Sequence, residues 1–266
     1  MNENASDTRS AVGPRPSGPS GGVQTLDRAP GPVAERRQQD GPPLPPVAIA
    51  AVALFMASLV LPIVLGGGAV YPSPFAPAEE IVAYFRDHSD QVLVASLLQF
   101  AASLPLAVFA AVVSVRLGRL GVQAPGPRIG FGGGVLAAAA LAMSAGFSWA
   151  LTRPEILAHD ELIRLLHDLA FVTGGAGFVV PLGLLVAGIA VPGLLARLLP
   201  RWHAWAGLVI AAVAMVATLS VALPGLSILL PIARFPAFAW IVSAAFLLPR
   251  RRARRGETTA NQGSSR

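Results

Sequence analysis

The sequence contains no lysine and no cysteine, and all 20 of its basic residues are arginines. Without lysine, the chain has no phosphate-binding loop of the G-x-x-x-x-G-K-[ST] type, no Schiff-base chemistry and no Ser-Lys dyad. Without cysteine, it has no disulfide, no thiolate nucleophile, no Cys-ligated zinc or iron–sulfur centre and no thiol-linked lipid anchor. These two absences exclude several large classes of enzyme and metalloprotein.

Charged residues of any kind are scarce. They make up 13% of the 266 residues, whereas 54% are hydrophobic, and soluble domains carry about 25% charged residues. The apolar residues fall in blocks of roughly 18–24, close to the ~20 residues that an α-helix needs to cross the ~30 Å hydrocarbon core of a bilayer. The sequence therefore predicts an all-α, polytopic transmembrane helical bundle.

Polar, Pro-rich and Gly-rich stretches divide the chain. Residues 1–44 are rich in Pro, Gly, Ser and Gln and show no apolar periodicity, a composition that predicts a disordered tail. Residues 250–266 begin with a cluster of arginines and continue as a second polar, disordered tail. Between the tails the apolar blocks predict six spans, at about 47–65, 92–115, 129–151, 171–191, 206–223 and 232–248.

Short amphipathic helices are expected on the outer face of the bundle. The first begins at Pro77 and has acidic residues at its N-terminal end, as the helix dipole favours. In the second, Asp160, Arg164 and Asp168 fall on one face of a helical wheel and leucines fall on the other. The pattern predicts that this helix lies on or rises from the membrane surface and continues, without a break, into the fourth span near Phe171.

Arginines and carboxylates occupy alternate connections between the predicted spans. With six spans, the arginine-rich connections lie on one side, and the acidic connections around 79–90 and 155–168 lie on the other. The positive-inside rule then places both termini on the cytoplasmic side, and the expected location is a bacterial plasma membrane. Because most of the arginines behind the net charge of +6 adjoin apolar spans, membrane lipids are the expected partners, and nucleic acid is not.

The predicted hydrocarbon region contains no Asp, Glu, Lys or His, and Arg234 is expected near its outer surface. A charge at the centre of a membrane costs about 2.5–3.5 kcal/mol and is usually retained for an ion or proton pathway. The scarcity of such charges argues against a proton-coupled transporter. Gln99 and Thr173 are the candidate polar residues within the bundle, and their common role in such positions is hydrogen bonding between helices.

Titratable side chains gather instead in the two outer connections. His and carboxylate groups can bind zinc, but a site needs at least three converging ligands, and His159 and His167 point about 80° apart on a helical wheel. No H-E-x-x-H or G-x-S-x-G motif occurs. We therefore assign no catalytic, cofactor-binding or metal-binding residue, and an ion-paired, solvated face is the simpler interpretation. The candidates for an outer-face site are His88, His159, Arg164, His167 and Asp168.

Three segments carry a family resemblance: L-H-D-L-A-F-V-T-G-G-A-G-F (166–178), L-L-P-R-W-H-A-W-A-G-L (198–208) and F-A-W-I-V-S (238–243). In these segments the chain resembles a group of uncharacterised multi-pass membrane proteins of actinobacteria, over roughly residues 45–250. The resemblance implies an integral membrane helical bundle. It implies no established activity, substrate, cofactor or catalytic residue.

Three functions remain open on these observations. The first is a non-enzymatic membrane protein that contacts lipids, another membrane protein or a second copy of itself. The second is a transporter of a neutral or lipid-like solute that uses the Gly- and Pro-rich fourth span as a moving element, and an internal polar cavity reaching Gln99 and Thr173 would favour it. The third is a membrane enzyme with an outer-face site built on His88, His159, His167 and Asp168.

Overall fold

A computed structural model describes residues 42–249, and it folds them into helices with no strand between those positions. The predicted polar tails therefore lie almost entirely outside the described residues. Two 3-10 helices, Ala217–Val221 and Pro224–Ile228, precede the last α-helix. The α-helices of the described chain are α1 (Leu44–Leu65), α2 (Ala78–Asp87), α3 (Ser89–Arg119), α4 (Gly126–Ala150), α5 (Pro154–Leu157), α6 (Asp160–Gly174), α7 (Ala176–Leu195), α8 (Arg201–Val216) and α9 (Leu229–Leu247).

Six helical segments of the described chain are long and apolar enough to cross a membrane, which confirms the predicted all-α, multi-pass architecture. Helices α1, α3 and α4 each form one segment. Helices α6 and α7 together form the fourth, and α8 and α9 form the fifth and sixth with the 3-10 helices that adjoin them. The segments extend beyond several of the predicted limits because helical geometry continues into the polar ends, as where α3 runs from Ser89 to Arg119.

The amphipathic helix does not continue without a break into the fourth span. Helix α6 ends at Gly174 and α7 begins at Ala176, because Gly175 between them has a ψ angle of −106°, outside the helical region. A β-carbon at Gly175 would lie 2.5 Å from the carbonyl oxygen of Phe171. Glycine therefore permits the chain to turn at this point, and the fourth span consists of two helices.

Helix α7 is enclosed by the other helices. In the most apolar 18-residue stretch of the fourth span 61% of the residues are buried, against 28% for α1, and α7 contacts α3, α4, α6, α8 and α9. The closest approach is to α4, where a β-carbon at Gly188 would lie 2.4 Å from the α-carbon of Gly130. Small residues at such crossings let helices pack closely in lipid, where packing rather than the hydrophobic effect drives association.

Helix α2, helix α5 and the first turn of α6 cover one end of the bundle, which we call the acidic end. They enclose a small apolar cluster that includes Ile81, Phe85 and Ile163. Arg86 joins the two acidic connections, since its guanidinium pairs with the Asp160 carboxylate at 2.6 Å and also donates a hydrogen bond to the backbone of the α5–α6 region. These contacts hold a cover over the helix ends beneath it.

The α4–α7 contact provides a test of this packing. We expect Gly188→Ala to separate the two helices, because the added methyl group overlaps the backbone of Gly130, whereas nothing lies within 4 Å of a β-carbon at Gly146. Overpacking costs about 1–3 kcal/mol, so Gly188→Ala should lower the thermal unfolding temperature of the detergent-solubilised protein. Gly146→Ala is the matched control and should not lower it. Equal unfolding temperatures for the two variants would contradict the proposed contact.

Candidate functional site

A cavity of about 550 Å³ lies beneath the acidic end, between α1, α3, α4, the α6–α7 break and the start of α9. The loop 69–77, which connects α1 to α2, lines its upper part. Its walls are mainly apolar, with a few polar groups, and its volume falls within the ~300–1,000 Å³ range of small-molecule sites.

Arg234 is the charged residue in the wall of this cavity. It lies in the second turn of α9, about 8 Å along the axis from the helix start at ~1.5 Å per residue. Its guanidinium carbon is 5.5 Å from the ring centroids of both Phe55 and Phe178, a distance at which a cation is attracted to an aromatic face. One terminal nitrogen donates a hydrogen bond to the carbonyl of Gly174 at the end of α6.

The charge of Arg234 is not neutralised by a carboxylate within the described chain. No residue lining the cavity is acidic, none of the ion pairs between residues 42 and 249 includes Arg234, and its Nε atom is buried without a hydrogen-bond partner in that region. Because a charge in the membrane interior costs about 2.5–3.5 kcal/mol, an arginine held in this way requires a functional explanation. Sequence analysis placed Arg234 near the outer surface of the hydrocarbon region, which concerns its depth, and the structure adds that its guanidinium is directed into the bundle.

A short hydrogen-bonded chain connects three helices at the side of the cavity. The side-chain amide of Gln99 donates to the Ser144 hydroxyl at 3.2 Å, and that hydroxyl donates to the carbonyl of Ala170 at 2.8 Å. A β-carbon at Gly174 would lie 2.4 Å from the Ser144 oxygen. The glycine at the end of α6 therefore allows α4 to bring this polar group next to the carbonyl that Arg234 contacts.

Tyr71 forms part of the cavity roof. Its ring lies 5.5 Å from the ring of Phe85 and 5.4 Å from that of His167, and Ser148 is the side-chain partner of its hydroxyl. Although 41% of the Tyr71 surface is accessible, its hydroxyl end is enclosed. This burial raises the pKa of Tyr71 above its ordinary value of 10.0, and the hydrogen bond to Ser148 opposes the rise only in part.

Arg164 holds the loop that forms the roof. Its guanidinium donates to the carbonyls of Pro74, at 2.6 Å, and Ala76, at 3.4 Å. The same group pairs with Asp168 one turn along α6 at 3.3 Å. Of the predicted outer-face residues, Arg164 and Asp168 are thus brought together, and they form an ion pair that orders the loop 69–77.

The three predicted outer-face histidines occupy different environments. His88 stacks on Tyr84 with ring centroids 4.9 Å apart. His159 is the exposed residue immediately before α6. His167 is fully buried between Tyr71 and Phe85, beside the Pro72 backbone, and neither ring nitrogen makes a close hydrogen bond within the described chain.

These positions do not assemble a metal centre. Within residues 42–249, no three His, Asp or Glu side chains converge as metal binding requires. A second, charged groove of about 880 Å³ lies between α2 and α6 and is lined by Arg164 and Asp168. The Arg86–Asp160 and Arg164–Asp168 ion pairs cross or border it, and the other three carboxylates of its lining, Glu79, Asp87 and Glu161, are exposed to solvent. We therefore locate the candidate site in the cavity around Arg234.

The two predicted candidates within the bundle differ in position. Gln99 lines the cavity, but the transporter hypothesis expected a cavity that reaches both Gln99 and Thr173. Thr173 does not line it, and its hydroxyl instead donates to the carbonyls of Leu169 and Ala170 in its own helix, at 2.6 and 3.3 Å. This bonding is a common way for threonine to satisfy its hydroxyl in an apolar helix.

Sequence reasoning missed Arg234 and Tyr71 as site residues, and it did not connect Ser148 with Tyr71. One signal for Arg234 was available: it interrupts an apolar segment in which no acidic residue could pair with it. The partners of all three come from distant parts of the chain, and no periodic pattern relates them. The chain has no match among models of protein families, curated proteins or solved structures.

The enclosed tyrosine predicts a pH effect that absorbance can follow. Tyr71 and Tyr84 are the two tyrosines of the whole chain, and burial raises the pKa of both. The folded state favours the neutral phenols, so this contribution to stability is complete below the unfolded-state pKa of about 10 and is lost as pH rises through the raised folded-state pKa. We expect tyrosinate absorbance in the folded protein to appear above the ordinary pH of ~10 for tyrosine ionisation.

A Tyr71→Phe variant isolates the buried phenol. Its thermal unfolding temperature should fall less steeply than that of the wild type as the pH is raised past ~10, because the unfolded wild-type chain ionises one additional phenol. Ionisation of both tyrosines of the folded wild-type protein near pH ~10 would show that the Tyr71 hydroxyl is not enclosed.

Proposed function

We propose that this chain binds a lipid-like amphiphile in the cavity around Arg234, and that it does so as a binding protein rather than as an enzyme. The observation that carries the proposal is an apolar cavity of about 550 Å³ into which a few polar groups converge at one place. Sites for small amphiphilic ligands have this composition, because apolar walls supply affinity and a few polar groups fix orientation.

The rim of the cavity supports entry from lipid. Four exposed apolar residues line it near the acidic end of α1 and in the loop that follows: Leu59, Ile63, Val70 and Phe75. Exposed apolar side chains at the end of a membrane span face hydrocarbon at low cost and face water at high cost. We infer that the ligand enters sideways from the membrane leaflet at the acidic end.

The floor of the cavity supports binding rather than conduction. Phe55, Phe178 and Phe238 form a ring cluster with centroids 4.9–6.0 Å apart, and all three are buried. Each lies further from the acidic end, along its helix, than the cavity residues Ser58, Gly175 and Arg234 of the same three spans. A closed aromatic floor leaves the cavity open toward one leaflet.

Transport of the same ligand is the second candidate function, and the α6–α7 break favours it. Broken helices at mid-membrane sites act as moving elements in many transporters. Opening toward the second leaflet would require the three phenylalanines to separate, and α7 carries one of them. Net movement of a lipid-like solute across reconstituted vesicles would support transport, and saturable binding without movement would support the binding function.

We also propose that the chain lies in a bacterial plasma membrane, with the acidic end facing the cell exterior and both termini on the cytoplasmic side. Arg116, Arg119, Arg128, Arg197 and Arg201 all adjoin the opposite end of the described bundle, and the positive-inside rule assigns that end to the cytoplasm.

Single-cysteine labelling tests this orientation directly, because the chain contains no native cysteine. Glu155 and Gln123 are exposed at opposite ends of the bundle. In intact cells a membrane-impermeant maleimide should label Glu155→Cys, and it should label Gln123→Cys only after permeabilisation. The reverse pattern would invert the topology.

Photo-crosslinking tests the binding function. The purified full-length chain, in phosphatidylcholine nanodiscs, would be exposed to two diazirine lipids of equal chain length, a fatty acid and a neutral monoacylglycerol. We expect at least one of them to label peptides lining the cavity in a saturable manner. Ala95→Phe adds a ring at the cavity wall and should reduce that labelling about tenfold or more. The ring would occupy space that the ligand needs, so the ligand would lose its contacts with the wall.

Ala139→Phe is the matched control, because Ala139 is exposed on α4 and lies outside the cavity. It should leave the labelling unchanged. Uniform labelling of the lipid-facing surface, unaffected by Ala95→Phe, would refute the proposed binding function.

A further inference from the structure

We propose that the ligand is an anionic amphiphile, with a carboxylate or phosphate headgroup that pairs with Arg234. This inference rests on the proposed binding function and specifies the class of ligand. The Arg234 guanidinium has five N–H donors in a rigid fork, and the described chain does not provide acceptors for all of them. The hydrogen bond to Gly174 accounts for one terminal nitrogen, and the Nε atom has no partner within the described chain.

The surroundings hold the fork in one orientation. Phe55 and Phe178 contact the guanidinium within 5.5 Å of their ring centroids, and the Gly174 carbonyl holds one terminal nitrogen. A guanidinium packed against aromatic faces keeps its N–H edges available for planar recognition, and two parallel N–H groups match the spacing of carboxylate and phosphate oxygens. Arginine is preferred over lysine where this geometry matters.

The charge balance of the cavity selects an anion. All acidic residues between positions 42 and 249 lie within 79–90 or 155–168, in the connections of the acidic end, and none of them lines the cavity. The interior has a low dielectric constant, so an unneutralised cation strongly favours the entry of a negative group. A neutral lipid would leave the Arg234 charge uncompensated.

The walls select an amphiphile rather than a soluble anion. The cavity wall between the rim and Arg234 is largely apolar and includes Leu59, Pro62 and Phe171. The polar side chains of Gln99 and Ser144 also line the cavity. A free phosphate or acetate ion would bury its charge without the gain from covering this apolar surface. An amphiphile with its headgroup at Arg234 and its apolar chain extending toward the rim would pair with the cation and also cover the apolar wall.

Competition in the same nanodiscs tests the inference. Unlabelled fatty acid, lysophosphatidate, monoacylglycerol and fatty alcohol of one chain length would compete with the photoactivatable lipid that labels the cavity. We expect one or both anionic lipids to compete at concentrations about 10- to 100-fold lower than the neutral lipids, the range that a charge-assisted hydrogen-bonded pair provides. Comparison of the two anionic lipids identifies the headgroup as carboxylate or phosphate.

Variants then assign the preference to one side chain. Arg234→Gln should abolish the advantage of the anionic lipids, and Arg234→Lys should retain part of it because the charge remains. Arg153→Gln is the control, since Arg153 is an exposed arginine outside the cavity, and it should leave the preference unchanged. If Arg234→Gln does not fold, the headgroup series on the wild-type chain still decides the question.

The outcomes separate this inference from the function on which it rests. Equal competition by anionic and neutral lipids in the wild type would overturn the anionic ligand and leave lipid binding intact. Absence of cavity labelling by either photoactivatable lipid would overturn both. Displacement by inorganic phosphate or acetate at the concentrations effective for the anionic lipids would replace the amphiphile with a soluble anion, and would also overturn the inference.

Discussion

The packing of α7 is the constraint on which the rest of the bundle depends. A helix surrounded on several sides in lipid gains no hydrophobic energy from leaving water, so its association depends on close contact. Gly130 and Gly188 supply that contact at the α4 crossing, and the neighbouring helices are arranged around the resulting pair. Because α7 is held in this position, the break at Gly175 and the end of α6 lie at a defined place inside the bundle.

The candidate site follows from that placement. The carbonyl of Gly174 at the end of α6 accepts a hydrogen bond from Arg234, and Phe178, in the first turn of α7, contacts the same guanidinium. Thus a single interruption in one span provides both an acceptor and an aromatic face for a charge that arrives from α9. The cover at the acidic end, held by Arg86 and Arg164, encloses the cavity from above.

Sequence reasoning located the large features and missed the small ones. The six spans follow from composition over windows of about 20 residues, which local averaging detects, and the acidic and arginine-rich ends follow from their alternation. The predicted continuity of the fourth span was wrong. The residue pattern on a helical wheel continues through Gly175, but the helical conformation of the backbone is interrupted there. Gln99 was identified from its polarity in an apolar block, but the same criterion selected Thr173, whose hydroxyl bonds within its own helix.

The amino-acid sequence by itself determined the class of fold, the number of spans and the chemistry that is excluded, since each depends on residue types counted along the chain. The tertiary structure alone decided which polar groups share a cavity. Arg234, Gln99 and Tyr71 come from three separate segments, and their proximity depends on helix crossings that leave no periodic trace in the sequence. It also decided that the arginine charge faces inward: a lone arginine in an apolar block can extend toward water or toward the bundle, and only the positions of Phe55, Gly174 and Phe178 distinguish the two.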